Sequence, residues 1–273
     1  MDMLVSIPVK HFDNDDNDSD FLVFQNTLKS DIQIQIQQVN AGRYHASDLL
    51  DPLSCREIIQ DFASRIEARN LTCAGSMFIK YWAVPLLYPY WYGALINQVS
   101  LSWSLDQVVL DLPQDWLWDR TLLLDMHRKE NHRLIQRHER FTSLFNQIVN
   151  DLTCIFKVIS RVTKVTMSLI WENTALRILQ FYDMLQRRGV AFAVEQNIQE
   201  QRHYLAHLHA DVFGLKTNPF SNLIDHWSSD INTYAREKCC FYFQLPEAEH
   251  EYCKGCPLRK RDKTRDKYVC KNI

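Results

Sequence analysis

The sequence predicts a mainly α protein with a small β component (α+β), closed by a C-terminal cysteine-rich lobe. Three observations predict it. Apolar residues recur at threes and fours over long stretches, as in Phe141, Leu144, Phe145, Ile148, Leu152 and Ile155, the period of a helix with one buried stripe. Period-two alternation is confined to short stretches such as Asp31-Ile32-Gln33-Ile34-Gln35-Ile36-Gln37, the pattern of a strand with one face in the core. Four of the eight cysteines lie between Cys239 and Cys256.

Composition excludes some functions. A hydrophobic content of 46% supplies a core for 273 residues, enough for one large domain or two smaller ones. The net charge of −2 gives no global attraction to nucleic acid or to an anionic membrane. Glycines number only six, and neither GxGxxG nor GxxxxGKS/T occurs. Without those phosphate-cradling turns, an enzyme using NAD(P)H or ATP in the usual folds is not expected.

In chain order, residues 1–20 carry Asp13-Asn14-Asp15-Asp16-Asn17-Asp18-Ser19-Asp20 and read as a mobile acidic arm. They lack the basic-then-apolar run of an export signal, so a cytoplasmic chain is expected. A strand follows near residue 34. Ser54 and Glu57 form a capping-box pattern ahead of Ile58, Ile59, Phe62 and Ile66, a helical stripe ending near Arg69. Met77 to Ile96 is the most apolar region. Its uncharged run after Lys80 is sixteen residues, short of the ~20 of a spanning helix. Pro85 and Pro89 are expected to break it, so buried helices are predicted. Plain core is the expectation for most of its aromatic residues; the functional readings are an aromatic wall of a ligand pocket or a surface lying against the inner membrane.

Gln107-Val108-Val109-Leu110-Asp111-Leu112 is a second strand candidate, placed to pair with the strand near residue 34. Residues 120–140 are polar; their His127, His132 and His138 share no helical face and read as surface residues. Two long helices follow, the second carrying Trp171, Ala175, Ile178, Tyr182 and Leu185 and ending at Arg187-Arg188-Gly189, a basic last turn with a terminal glycine. A third helix is predicted over 191–212. Its His203 and His207 could chelate a metal, but the HExxH pattern is absent and surface or core roles are expected. Gly214 and Asn218-Pro219 mark a break, and Phe241 to Leu245 reads as extended. Arg259 to Lys267 is a charged tail. The expected division is an arm (1–20), a mainly helical domain with a small sheet (21–235), a sulfur-rich lobe (236–258) and a basic tail (259–273).

Cys239-Cys240 and the C-x-x-C of Cys253 and Cys256 are the chemically pointed residues. Clustered thiolates select zinc, copper(I) or iron–sulfur clusters. In a reducing compartment disulfides rarely persist, and metal ligation becomes the default. Adjacent cysteines point to opposite faces of an extended chain, so Cys239 and Cys240 share a centre only if the chain bends or the centre is large. Common structural zinc sites use spaced pairs at both ends, and the plant-type ferredoxin spacing does not match either. Zinc and iron–sulfur both stay open on spacing alone. Cys55, Cys73 and Cys154 sit in helical patterns and read as buried thiols; Cys270 reads as a free thiol in the tail.

The stretch CCFYFQLPEAEHEYCKGCPL resembles the closing segment of the FhuF-type ferric-siderophore reductases. Leu169-Ile170-Trp171-Glu172-Asn173, the aromatic segment Trp82 to Leu95 and Asn218-Pro219 stand in corresponding order, so the resemblance covers roughly residues 70–258. Twelve residues separate the two cysteine pairs, two more than is usual in the family, a small change in loop closure. The resemblance implies that Cys239, Cys240, Cys253 and Cys256 ligate a [2Fe–2S] cluster. It implies one-electron reduction of a ferric siderophore, often a hydroxamate, with an electron donor such as a ferredoxin or flavin reductase. No general acid or base is needed and no nucleic-acid partner is expected. Arg236, Lys238 and Lys254, if close to the cluster, would favour its reduced form and steer an acidic donor. Asn173 is open between a core contact and a siderophore contact; Trp171 is expected to be structural. The competing expectations are a four-cysteine zinc protein whose basic tail contacts nucleic acid, and a siderophore synthesis or uptake accessory without turnover.

Overall fold

The structure is a computed structural model. It describes residues 17–40, 42–97, 99–101, 103–115, 117–125, 134–136, 141–249 and 251–260. His127, His132, His138 and Cys270, the acidic arm up to residue 16 and the tail beyond residue 260 lie outside them.

The fold is mainly helical with small sheets. It begins with α1 (Asn17–Ile32), where an arm followed by a strand was expected. Phe21, Phe24, Leu28 and Ile32 are buried at spacings of three and four, so this is a core helix entered through the acidic run. Gln33 takes a left-handed φ of 58° and turns the chain into β1 (Gln35–Val39). The alternation survives the shift: Ile34 and Ile36 are buried.

The next helix, α2 (Pro52–Arg65), starts earlier than the Ser54 box suggests. The Asp51 carboxylate accepts from the amides of Leu53 and Ser54 at 3.0 and 2.8 Å, and Pro52 fills the first helical position, where no amide donor is missed. Then comes α3 (Leu71–Tyr92), capped by Asn70. It runs unbroken through Pro85 and Pro89 and passes into a π-helical turn, Gly93–Asn97. The expected break does not occur. A helix-interior proline costs about 3 kcal/mol, but α3 is buried along nearly its whole length, and packing on every side outweighs that. Among the described residues no helix is long and apolar enough to cross a membrane.

Four short strands follow: β2 (Val99–Leu101), β3 (Val108–Val109), β4 (Thr121–Asp125) and β5 (Leu134–Gln136). The three-stranded sheet has the order β1-β4-β3, with β4 parallel to β1 and antiparallel to β3. The candidate strand at 107–112 therefore does not pair with β1 directly. The partner of both is β4, inside the segment read as polar: Leu122-Leu123-Leu124 is a continuous apolar run without alternation. Strands β2 and β5 form a separate antiparallel ribbon.

The two long amphipathic helices are α4 (Phe141–Thr163) and α5 (Met167–Arg187), as the periodicity predicts. Gly189 closes the second at φ 73°, and Trp171 is fully buried against Phe156 and Phe213. Cys154 is exposed on the outer face of α4, which corrects the buried reading; Cys55 and Cys73 are buried. Gly75 of α3 meets Thr163 of α4, where a Cβ would come within 2.8 Å of Thr163 side-chain atoms. Shorter than predicted, α6 spans Phe192–His207 and ends where Leu208 turns extended. Its His203 and His207 rings stack at 4.0 Å. Last is α7 (Pro219–Asp225); its cap, Asn218, also donates to the carbonyls of Leu205 and Leu208 at 2.8 and 2.9 Å, tying it to the end of α6. The hairpin of β6 (Trp227–Ser228) and β7 (Thr233–Tyr234) leads to the cysteines.

Candidate metal centre

The four cysteines are held by α3 and α5 rather than by a framework of their own. Three residues on one face of α3 reach Cys240 and the following Phe241. Ser76 Oγ donates to the Cys240 carbonyl at 3.0 Å, the Cys73 thiol to the Phe241 carbonyl at 3.5 Å, and Lys80 Nζ to Cys240 Sγ at 3.4 Å. Phe241 adopts a left-handed φ of 65°, and its amide donates back to Cys239 Sγ at 3.4 Å. The chain therefore turns directly after the adjacent pair. This also overturns the extended reading of 241–245, because the chain enters a 3-10 turn, Tyr242–Gln244.

From α5, Glu172 Oε1 accepts from Arg236 Nε at 3.0 Å and from the Lys238 amide at 3.3 Å. Asn173 accepts from Arg236 Nη2 and donates to Ser76 Oγ at 3.1 Å, so it joins α3, α5 and the segment that leads to the cysteines. The Arg236 amide donates to the Gly255 carbonyl at 2.9 Å, and the Cys256 amide to the Cys253 carbonyl at 2.9 Å, which closes the C-x-x-C turn. A Cβ on Gly255 would lie 2.4 Å from the Tyr234 carbonyl oxygen, so position 255 takes only glycine.

The sulfurs meet across the segments. Cys256 Sγ lies 3.8 Å from Cys239 Sγ, and Cys240 Sγ lies 3.9 Å from Cys253 Sγ. All four are free thiols, and these separations are far beyond a disulfide bond of about 2.05 Å. They match two sulfurs on one tetrahedral metal: ligands at about 2.3 Å lie about 3.8 Å apart. Among the described residues no three Cys, His, Asp or Glu side chains gather closely enough to hold one metal ion. The cross-segment contacts are Cys239 with Cys256 and Cys240 with Cys253, and Cys253 and Cys256 also interact with each other.

Electrostatics fit an anionic group at this point. Lys80 and Arg236 are both buried. Burial alone would pull the Lys80 ammonium down, but negative charge on Cys240, with Tyr81 and Cys253, holds it above its ordinary value. Arg236 is likewise raised against its burial by Cys240, Cys253 and Glu172. Arg236 Nη1 is buried without a hydrogen-bond partner, a donor left over beside the sulfurs. As bare thiols the sulfurs do not supply the matching charge. Cys240 is pushed up to about 12, by its hydrogen bond to Cys253 and by burial. Cys256 is pushed up to about 11, first by its hydrogen bond to Cys239. Cys239, which accepts that bond, is lowered. Deprotonation by a metal would give the two cations their counter-charge.

Of the three cations expected near the sulfurs, Arg236 is in place, Lys254 is exposed on the wall of an adjoining cavity, and Lys238 pairs with Glu237 at 3.8 Å. Sequence reasoning missed Lys80. Its signal was available: it is the only charged residue between Arg69 and Asp106. The cavity, about 450 Å³, reaches Cys253 and is lined by Tyr81, Tyr88, Trp118 and Tyr252 among others. Part of the aromatic segment therefore faces a pocket, while Tyr90, Trp91 and Tyr92 are core.

No protein-family model matches the chain, and no curated protein matches it.

Proposed function

We propose that the protein is a ferric-siderophore reductase that holds one [2Fe–2S] cluster on Cys239, Cys240, Cys253 and Cys256. The observation that carries the reading is the two sulfur pairs, 3.8 and 3.9 Å across, beside two buried cations. A centre with two metal atoms takes two thiolates on each; a single zinc ion needs four sulfurs about one point.

When bound, the cluster supplies one electron, taking the substrate's iron from Fe(III) to Fe(II), and a ferredoxin or flavin reductase restores it. No covalent bond of the siderophore breaks. Its hard oxygen donors hold Fe(II) more weakly than Fe(III), so iron is released. The chain's own residues do the rest. Lys80 and Arg236 stabilise negative charge at the sulfurs and so favour the reduced form. Cys240 and Cys256 are buried, which limits the access of water to these two sulfurs. The cavity holds the substrate at the Cys253 edge. The site of action is the cytoplasm, where thiolates persist.

The test is absorption and electron paramagnetic resonance of protein purified without air, before and after dithionite. A red-brown protein that bleaches and gives an S = 1/2 signal, then reoxidises with a ferric siderophore, is expected. Colourless protein with stoichiometric zinc and no cluster after reconstitution would overturn the reading. Cluster-bearing protein that binds ferric siderophore without reoxidising would be a binding accessory instead.

A further inference from the structure

The reading above leaves open which siderophore the cavity beside Cys253 takes, and the next step rests on that reading. We infer that the cavity accepts the iron-bound headgroup of a polyanionic, aromatic ferric complex, the tris-catecholate class, in preference to a neutral ferric trihydroxamate. Three doubly deprotonated catecholates leave Fe(III) with a net charge of three minus. Three hydroxamates leave it neutral.

The cavity walls carry Arg120, Arg177, Arg187 and Lys254 above the buried Lys80 and Arg236, against the carboxylates of Asp183 and Glu251. Asp183 is already engaged: Arg202 lies 3.0 Å away and the Tyr234 hydroxyl donates to it at 3.0 Å. Among the described residues, none of Arg120, Arg177, Arg187 and Lys254 is ion-paired with a carboxylate. Cations without a carboxylate partner among the described residues, gathered on a concave wall, attract a trianion and do nothing for a neutral complex.

Aromatic surface lies between the charges. The Arg177 guanidinium sits 4.8 Å from the Tyr81 ring centroid, and Tyr88, Trp118 and Tyr252 continue the lining. Flat catechol rings find offset or edge contacts on such walls, and their electron-rich faces suit guanidinium. The alkyl spacers of hydroxamates have no such complement. A volume of about 450 Å³ falls within the range of small-molecule sites and is too small for the acidic face of a protein donor.

The test uses gallium(III), which carries the charge of Fe(III) without its redox chemistry. Binding of a gallium tris-catecholate, a gallium trihydroxamate and gallium citrate to the full chain is followed by tryptophan fluorescence and calorimetry. At low salt the catecholate complex should bind at least tenfold tighter than the hydroxamate, and the gap should narrow as salt rises. Arg120 and Arg187 are exposed, so Arg120→Gln with Arg187→Gln should leave the circular dichroism unchanged. The pair should weaken catecholate binding about tenfold and leave hydroxamate binding alone. Lys254→Gln, on the cysteine side of the cavity, should act in the same direction.

Equal affinities, a hydroxamate preference, or indifference to all three substitutions would overturn the inference. Citrate binding as tight as catecholate would overturn its aromatic half. Binding needs no electron, so the two readings fail separately. A colourless chain that discriminates among the gallium complexes keeps this site and loses the reductase. A red-brown chain that does not discriminate keeps the cluster and loses this site.

Discussion

The same two helices, α3 and α5, meet a polar problem at each end and solve it differently. Toward their far end the indole of Trp91 donates to the Tyr182 hydroxyl at 3.0 Å, which donates to Gln201 Oε1 at 2.9 Å. The chain is neutral and its named donors are satisfied by protein atoms. Toward the lobe, Ser76 and Asn173 lead into Arg236, Lys80 and the four sulfurs. There, among the described residues, two buried cations face one buried carboxylate, and Arg236 Nη1 has no hydrogen-bond partner. Buried charge persists only when it is paired. The difference separates a core that packing completes from one that calls for added negative charge.

Substitutions at each end sharpen the contrast. The largest effect is expected from Cys240→Ser or Cys253→Ser. Either should abolish the visible absorbance and lower the thermal midpoint, because metal binding is coupled to folding; a variant that keeps its colour and midpoint would remove that cysteine from the site. Next is Arg236→Met, which leaves Glu172 buried without its cation. Breaking a buried pair costs about 3–5 kcal/mol, read by urea unfolding, and the cluster potential should fall as well. A structural arginine would change stability and leave the potential where it was.

Tyr182→Phe breaks the neutral chain at the other end. Leaving the Trp91 donor and the Gln201 acceptor unpaired should cost about 1–3 kcal/mol with no change in colour or potential. A shift in the cluster spectrum would mean that the two ends are coupled.

The smallest effect is a pH dependence far from both ends. The Asp51 carboxyl is held below its ordinary value by hydrogen bonds from Ser54 and Leu53 at the start of α2. Its contribution is complete above the unfolded value of about 3.9 and is lost as pH falls through the lower folded value. Asp51→Asn should remove that acid-side slope from the stability profile while sparing the lobe.

The helical half of the fold was legible because it is written locally. The stripes of α4 and α5 and the closing Gly189 each need only neighbours three or four apart. Helix α1 was hidden because its entry is acidic enough to resemble a solvated arm, and β4 because its partly exposed face carries Leu123, so the alternation of its burial is not written in residue type. The prolines of α3 misled because burial on all sides overrides a local rule. The gathering of the four cysteines in one segment was plain from their spacing. Lys80 was not, since it reaches Cys240 from 160 residues away; only its isolation in an apolar run marked it. The turn at Phe241 was unreadable, because a left-handed phenylalanine has no sequence signature.

The C-x-x-C also bears on modularity. Gly255 rests on the Tyr234 carbonyl, Arg236 on Glu172 and Asn173, and the Cys240 carbonyl on Ser76. A peptide spanning 236–258 has all four thiols and none of these footholds. It could not be grafted onto another scaffold as a ready-made cofactor site. Any relocation of this chemistry would have to carry along a turn of α3 and a turn of α5.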